Sequence, residues 1–201
     1  MIQGLLIALA EEGPPGGSWA IDGGTLTMTA APRTDLFADP LGRDGEQLPD
    51  AARLVGLPPD GDFTLSARVT VDFRSGYDAG VLLLHAAERL WAKLCFEYSP
   101  PGRPSVVTVV TRGASDDAGG LEVAGDRTWL RVTRTGGAFA FHTSADGHRW
   151  RLLRYFTLGP EAAGRVRIGF MAQSPLGEGC TVVFDRISFQ PEAPKDLRDG
   201  S

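Results

Sequence analysis

The sequence predicts an all-β fold, a sandwich of antiparallel sheets, on three observations. Apolar and polar residues alternate with period two through most of the apolar segments. No segment sustains a helical period. Turn residues recur between the apolar runs, with 26 glycines and 14 prolines in 201 residues. A single open sheet of that many strands would leave an apolar face in water, so a second layer is required.

The elements follow in chain order. "MIQGLLIALAEE" reads as a first strand or helical turn. Its "ALA" mimics a small-residue cleavage site, but no basic region precedes it. "SWAIDGGTLTMTA" reads as a hairpin around Asp22-Gly23-Gly24. Residues 38–61 are the longest irregular stretch, and "LPDAARLVGLPPDGD" (48–62) holds at most a short helical turn. "DFTLSARVTVDF" (62–73) is the clearest strand, with Phe63, Leu65, Ala67, Val69, Val71 and Phe73 on one face. "GVLLLHA" (80–86) is apolar on both faces, which suits a central strand covered twice. "RLWAKLCFEYSP", "SVVTVVTR" and "WLRVTRT" are further strands. "AFAFHTS" leads into "ADGHRW", where Asp146-Gly147 suits a two-residue hairpin turn before a strand starting at Trp150. "LGPEAAG" is a short helical turn, and "RVRIGFMA" and "CTVVFDRISF" complete the set.

Length suits one sandwich domain over residues 1–189, with a polar tail at 190–201 expected to fray. The formal net charge of −5 argues against nucleic acid or an anionic membrane as partner. No apolar run approaches a membrane span, and a soluble, cytoplasmic protein is expected. Cys95 and Cys180 are expected as free thiols packed as small hydrophobes, with a disulfide as the alternative.

The candidate site starts at residues 89–97. Side chains two apart on a strand point the same way, roughly 6.5 to 7 Å from each other. Trp91, Lys93, Cys95 and Glu97 therefore form one line. An indole beside a charged hydrogen-bonding pair suits a sugar ring, whose C–H face stacks while its hydroxyls bond. Asp78, His85, Thr111, Asp116 and Arg131 are candidates to join from neighbouring strands and loops. The competing reading is a plain half-wet sheet face, where a Lys93–Glu97 pair contributes about 0 to 1 kcal/mol.

Other motifs read as structural. In "SADGHRW", Asp146 supports the turn, Gly147 supplies a left-handed residue and Trp150 is expected to pack inward. His85, His142 and His148 lack metal-ligand spacing, and Asp60-Gly61-Asp62 is too short to define a calcium loop. No cofactor is expected, a structural calcium ion on loop carboxylates being the lesser alternative. No Ser-His-Asp order, phosphate loop or dinucleotide fingerprint is present.

Seven motifs, in order, carry a resemblance: "TDLF" (34–37), "GDFTLSARV" (61–69), "YDAG" (77–80), "WAKLCFE" (91–97), "VVTRGASD" (109–116), "SADGHRW" (144–150) and "GFMAQSPLGEG" (169–179). Together they resemble a largely uncharacterised family with the concanavalin A-like lectin/glucanase fold, one branch of which is labelled "regulation of enolase". The resemblance spans about residues 18 to 189. It implies a jelly-roll sandwich of two curved antiparallel sheets and implies little chemistry. The chain departs from the family pattern in three places. Tyr77-Asp78-Ala79-Gly80 is a residue short, Asp117 stands where a tryptophan is usual, and Cys95 replaces a common glycine. The Glu-x-Asp-x-x-Glu strand motif of related glucanases is absent.

The function expected is a non-catalytic binding module for a carbohydrate or similar polar ligand, using the concave sheet face. The alternatives are an intracellular interaction or regulatory domain, with a homodimer as one form of it, and a glycoside hydrolase in which Glu97 pairs with Asp78 or Asp116.

Overall fold

The computed structural model describes residues 2, 4–43, 50–100 and 102–201. Among them, fourteen strands form two seven-stranded antiparallel sheets. The first sheet runs β1 (Ala10–Glu12), β4 (Arg53–Gly56), β13 (Arg167–Gln173), β6 (Ala79–Ala87), β7 (Leu90–Ser99), β8 (Arg103–Arg112), β9 (Ala114–Glu122). The second runs β12 (Arg151–Phe156), β11 (Ala138–Ser144), β10 (Arg127–Thr135), β5 (Phe63–Asp72), β14 (Thr181–Gln190), β3 (Thr25–Thr29), β2 (Ser18–Asp22). This is the two-layer β-sandwich the alternation predicts and the jelly roll the family resemblance implies. Among the described residues no helix is long and apolar enough to cross a membrane.

The period-two pattern explains the layers. Leu65, Ala67, Val69 and Val71 of β5 point into the interlayer core with Leu130, Val132, Phe184, Leu82, Leu94, Phe96 and Phe170. A one-residue slip of β5 would turn its apolar set out to water. At roughly 1.5 to 3 kcal/mol for each large side chain, that outweighs the stability of a typical domain. β6 is central, paired with β13 and β7. Its even residues Leu82 and Leu84 enter the interlayer core, while Val81 and Leu83 join a second apolar cluster on the outer face of the first sheet. Cys95 belongs to the outer cluster and Cys180 to the interlayer core, and both are free thiols.

The second cluster exists because the β3–β4 connection crosses the outer face as a strap. Leu36, Ala38 and Ala51 from this connection pack with Trp91, Cys95, Val107 and Met171. Backbone links hold it: Thr34 bridges to Ser174, the Ala38 amide donates to Ser115 Oγ, and the Ser115 amide donates to the Ala38 carbonyl. Residues 44–49, inside the stretch read as irregular, lie outside the described residues.

Four local expectations change. Strands β4 and β9 were not anticipated. The connection after β11 spans residues 145–150 rather than two, because Asp146 accepts from the amides of both His148 and Arg149 and organises a wider loop. Gly147 is needed there at φ 78, since a Cβ would lie 2.7 Å from the Trp129 ring. Trp150 stands on the outer face of the second sheet beside Arg131, not in the core. Residues 191–201 fold back onto that same face instead of fraying.

Candidate functional site

Strand pairing sets the site. Cα partners across an antiparallel ladder share a face. One row of the outer face of the first sheet therefore reads Arg167, His85, Trp91, Thr111, Ser115. The next reads Leu83, Lys93, Val109, Asp117, and a third reads Gln173, Ala79, Glu97, Ser105, Glu122. The line of Trp91, Lys93, Cys95 and Glu97 is thus confirmed as one surface, on the side away from the interlayer core.

That surface is roofed. Trp91 is 1% exposed beneath the strap, so it offers no open ring for stacking. Among the described residues its Nε1 has no hydrogen-bond partner. Lys93 is 2% exposed, and its ammonium donates to Asp35 Oδ1 at 3.0 Å and Gln173 Oε1 at 2.9 Å. Burial pushes the Lys93 pKa down, and Asp35, Cys95 and Glu97 together more than restore it, so it ends above the ordinary lysine value. Neither Asp35 nor Gln173 was singled out from sequence, although both lie in quoted motifs, "TDLF" and "GFMAQSPLGEG".

Around Lys93 the face stays polar. Glu97 is buried and accepts from Ser99 Oγ. Burial raises its pKa to about 7, opposed by Lys93. Asp117, exposed on edge strand β9, is also raised by its partial burial, again opposed by Lys93. Three carboxyl groups, of Asp35, Glu97 and Asp117, thus act on one buried ammonium. The Asp35 side chain keeps 34% exposure, so the cluster reaches solvent at its rim.

The remaining candidates divide. His85 and Thr111 share the face but are occupied: His85 Nδ1 accepts from Arg167 and Thr111 bonds Ser115. Burial, with Arg53 and Arg167 nearby, lowers the His85 pKa to about 4. Asp78 is wholly buried and accepts from the amides of Arg74 and Ser75 and from Ser174 Oγ, which makes it the organiser of a turn. Asp116 pairs in Cα register with Val110, a core residue, so it faces the other way and meets Arg154 at 2.9 Å. Its neighbour Asp117 takes the position expected of it. Arg131 belongs to the second sheet, on the far side of the molecule. Among the described residues no group of three or more His, Cys, Asp or Glu side chains is arranged to hold a metal ion.

The architecture recurs in solved structures. A functionally unknown protein from Saccharomyces cerevisiae superposes with TM-score 0.78 at 22% identity, over 92% of this chain and 97% of that one. The GH43 protein BlXynB from Bacillus licheniformis gives 0.69 at 14% identity, over 87% of this chain and 35% of its own, so the chain spans about a third of that protein. An alginate lyase from Klebsiella pneumoniae gives 0.54 at 13%, over 87% and 84%. At these identities the likeness establishes the fold. No curated protein matches the sequence. A family model does, over residues 14–192, and it covers every strand but β1, with the strap and the Lys93 cluster: the chain belongs to the DUF1349 family of proteins of unknown function.

Proposed function

We propose that the chain is a binding module for a carbohydrate-like, polyhydroxylated ligand, held at the rim of the strap by Asp35, Glu97 and Asp117 around Lys93. The observation that carries this reading is the buried ammonium fixed by Asp35 and Gln173 with two further carboxyl groups beside it. Such a cluster presents acceptors and donors in a set geometry, which is what hydroxyl groups recognise. Stacking on Trp91 is not part of the reading, because the strap covers the ring. Carbohydrate-acting proteins share the fold, which supports the ligand class and no residue assignment.

Calorimetric titration of a glycan panel tests it. Asp117→Asn and Glu97→Gln should each weaken the best glycan about tenfold, the worth of one charge-assisted hydrogen bond. Equal affinity in both variants, or no glycan bound by the wild type, defeats the reading.

One observation favours hydrolysis as a second reading. Glu97, at about 7, sits near the operating pH that a general acid needs, with Asp117 as a second carboxyl. On aryl glycosides Glu97→Gln should then abolish turnover, and a wild type without turnover eliminates this reading while leaving binding intact.

A further inference from the structure

The outer face of the second sheet holds a buried cation that, among the described residues, makes no ion pair with an acid. Arg131 on β10 is 6% exposed, and its Cα partners are Ser66 on β5 and His142 on β11. Its guanidinium carbon lies 4.3 Å from the centroid of the Trp150 ring. Both Nη atoms donate to one oxygen, the carbonyl of Gly200, at 3.0 Å. Nε has no partner. His142 is wholly buried, and its Nε2 donates to the Leu197 carbonyl, which leaves Nδ1 as an acceptor without a donor. Burial alone moves the Arg131 pKa, down to about 10. Buried guanidinium groups are ordinarily matched by a carboxylate or phosphate.

We propose that Arg131, His142 and Trp150 form a binding site for a hydroxylated carboxylate, a sugar acid, and that the chain's own tail occupies it through the Gly200 carbonyl. A carbonyl supplies one oxygen and a partial charge. A carboxylate supplies two oxygens and a full charge, and the unpartnered Nε with an Nη is the side-on pair that takes both. A ligand hydroxyl supplies the donor that His142 Nδ1 lacks.

The tail is a replaceable occupant. It meets the sheet through three backbone carbonyls, of Glu192 on Thr64, Leu197 on His142 and Gly200 on Arg131. From 191 to 201 every residue but Gly200 is exposed or half-buried, so little apolar surface anchors it. It is also closed on itself, with the Asp196 amide donating to a backbone oxygen of Ser201 and the Gly200 amide to the Asp196 carbonyl. It therefore leaves as a unit without unravelling.

Gly200 gives a test that removes no residue. It sits at φ +81, and a Cβ there would lie 2.7 Å from Trp150 Cβ and 3.0 Å from Arg131 Nη2. Gly200→Val therefore lifts the tail. In calorimetric titrations Gly200→Val should bind glucuronate about tenfold tighter than the wild type does, a gain of roughly 1.4 kcal/mol. Adding Arg131→Met should abolish that binding. Glucose, without the carboxylate, should gain no affinity in Gly200→Val, and acetate, without hydroxyls, should gain less than glucuronate. Asp196→Ala removes the acceptor of the Arg198 amide and loosens the same turn, and it takes the place of Gly200→Val if that variant does not fold. Glucuronate affinity unchanged in the tail variant, or surviving Arg131→Met, overturns the proposal. The glycan site on the first sheet is untouched by either outcome.

Discussion

Glu97 is placed where an ionised carboxylate is costly. Its pKa in the fold is about 7 against an ordinary 4.5, with burial as the leading cause. A carboxyl group whose pKa rises on folding stabilises the fold while protonated. That contribution is complete below about 4.5 and is lost as pH climbs through 7. Above this window the fold carries a penalty on the order of 3 kcal/mol. Glu97→Gln keeps the shape and removes the titration. Urea unfolding should show the variant more stable than the wild type at about pH 8 and indistinguishable from it near pH 4. The same difference at both pH values would show that the environment of Glu97 is not what shifts it. Alternation alone was enough to align Glu97 with Lys93 and Trp91. It was blind to Asp35 and Gln173, which arrive from segments 58 and 80 residues away in sequence. It also misassigned Asp116, because the choice between Asp116 and Asp117 depends on the register of β9, a strand without apolar alternation.

At the scale of elements, the strap decides what the outer face of the first sheet can do. It carries no period, so it read as irregular chain, yet Leu36 and Ala38 are as buried as any core residue. The two unanticipated strands hide for related reasons. β4 is four residues long, and "ASDDAGGLE" of β9 is charged and glycine-rich, as an exposed edge strand needs to be to resist further pairing. β9 forms because the chain turns tightly at Gly113, φ 81, and returns beside β8. The strap and the interlayer core are separate clusters, so damage to one need not spread to the other. Leu36→Ser should therefore loosen the strap at a cost of roughly 2 to 4 kcal/mol. Trp91 is the most buried of the four tryptophans, so the variant should raise the fraction of emission open to acrylamide. An unchanged quenching curve would mean that Leu36 does not hold the cover down.

At the scale of the whole molecule, each sheet turns one face to the shared core and has the other partly covered by an irregular segment, the strap on one side and the tail on the other. Strand alternation made the two layers legible, because burying an apolar face allows one register only. The covers were illegible, since their contacts run through backbone carbonyls and a few small side chains rather than a periodic pattern. Each outer face also buries a neutral histidine, His85 on the first sheet and His142 on the second. Burial leads in lowering both pKa values to about 4 from an ordinary 6.5, with Arg53 and Arg167 adding to it at His85 and Arg131 adding at His142. A histidine depressed in this way takes up its proton more readily in the unfolded chain. Its contribution to stability is complete above about 6.5 and is lost as pH falls toward 4. Glu97 acts with the opposite sign over much of the same range, aided by the exposed Asp117, so among these three buried groups two losses oppose one gain. The melting temperature should therefore fall on acidification from about pH 7 to about pH 4. In the variant carrying both His85→Gln and His142→Gln, where only the Glu97 gain remains of the three, that fall should shrink or reverse. A variant that loses as much as the wild type would place the acid sensitivity elsewhere than in these two rings.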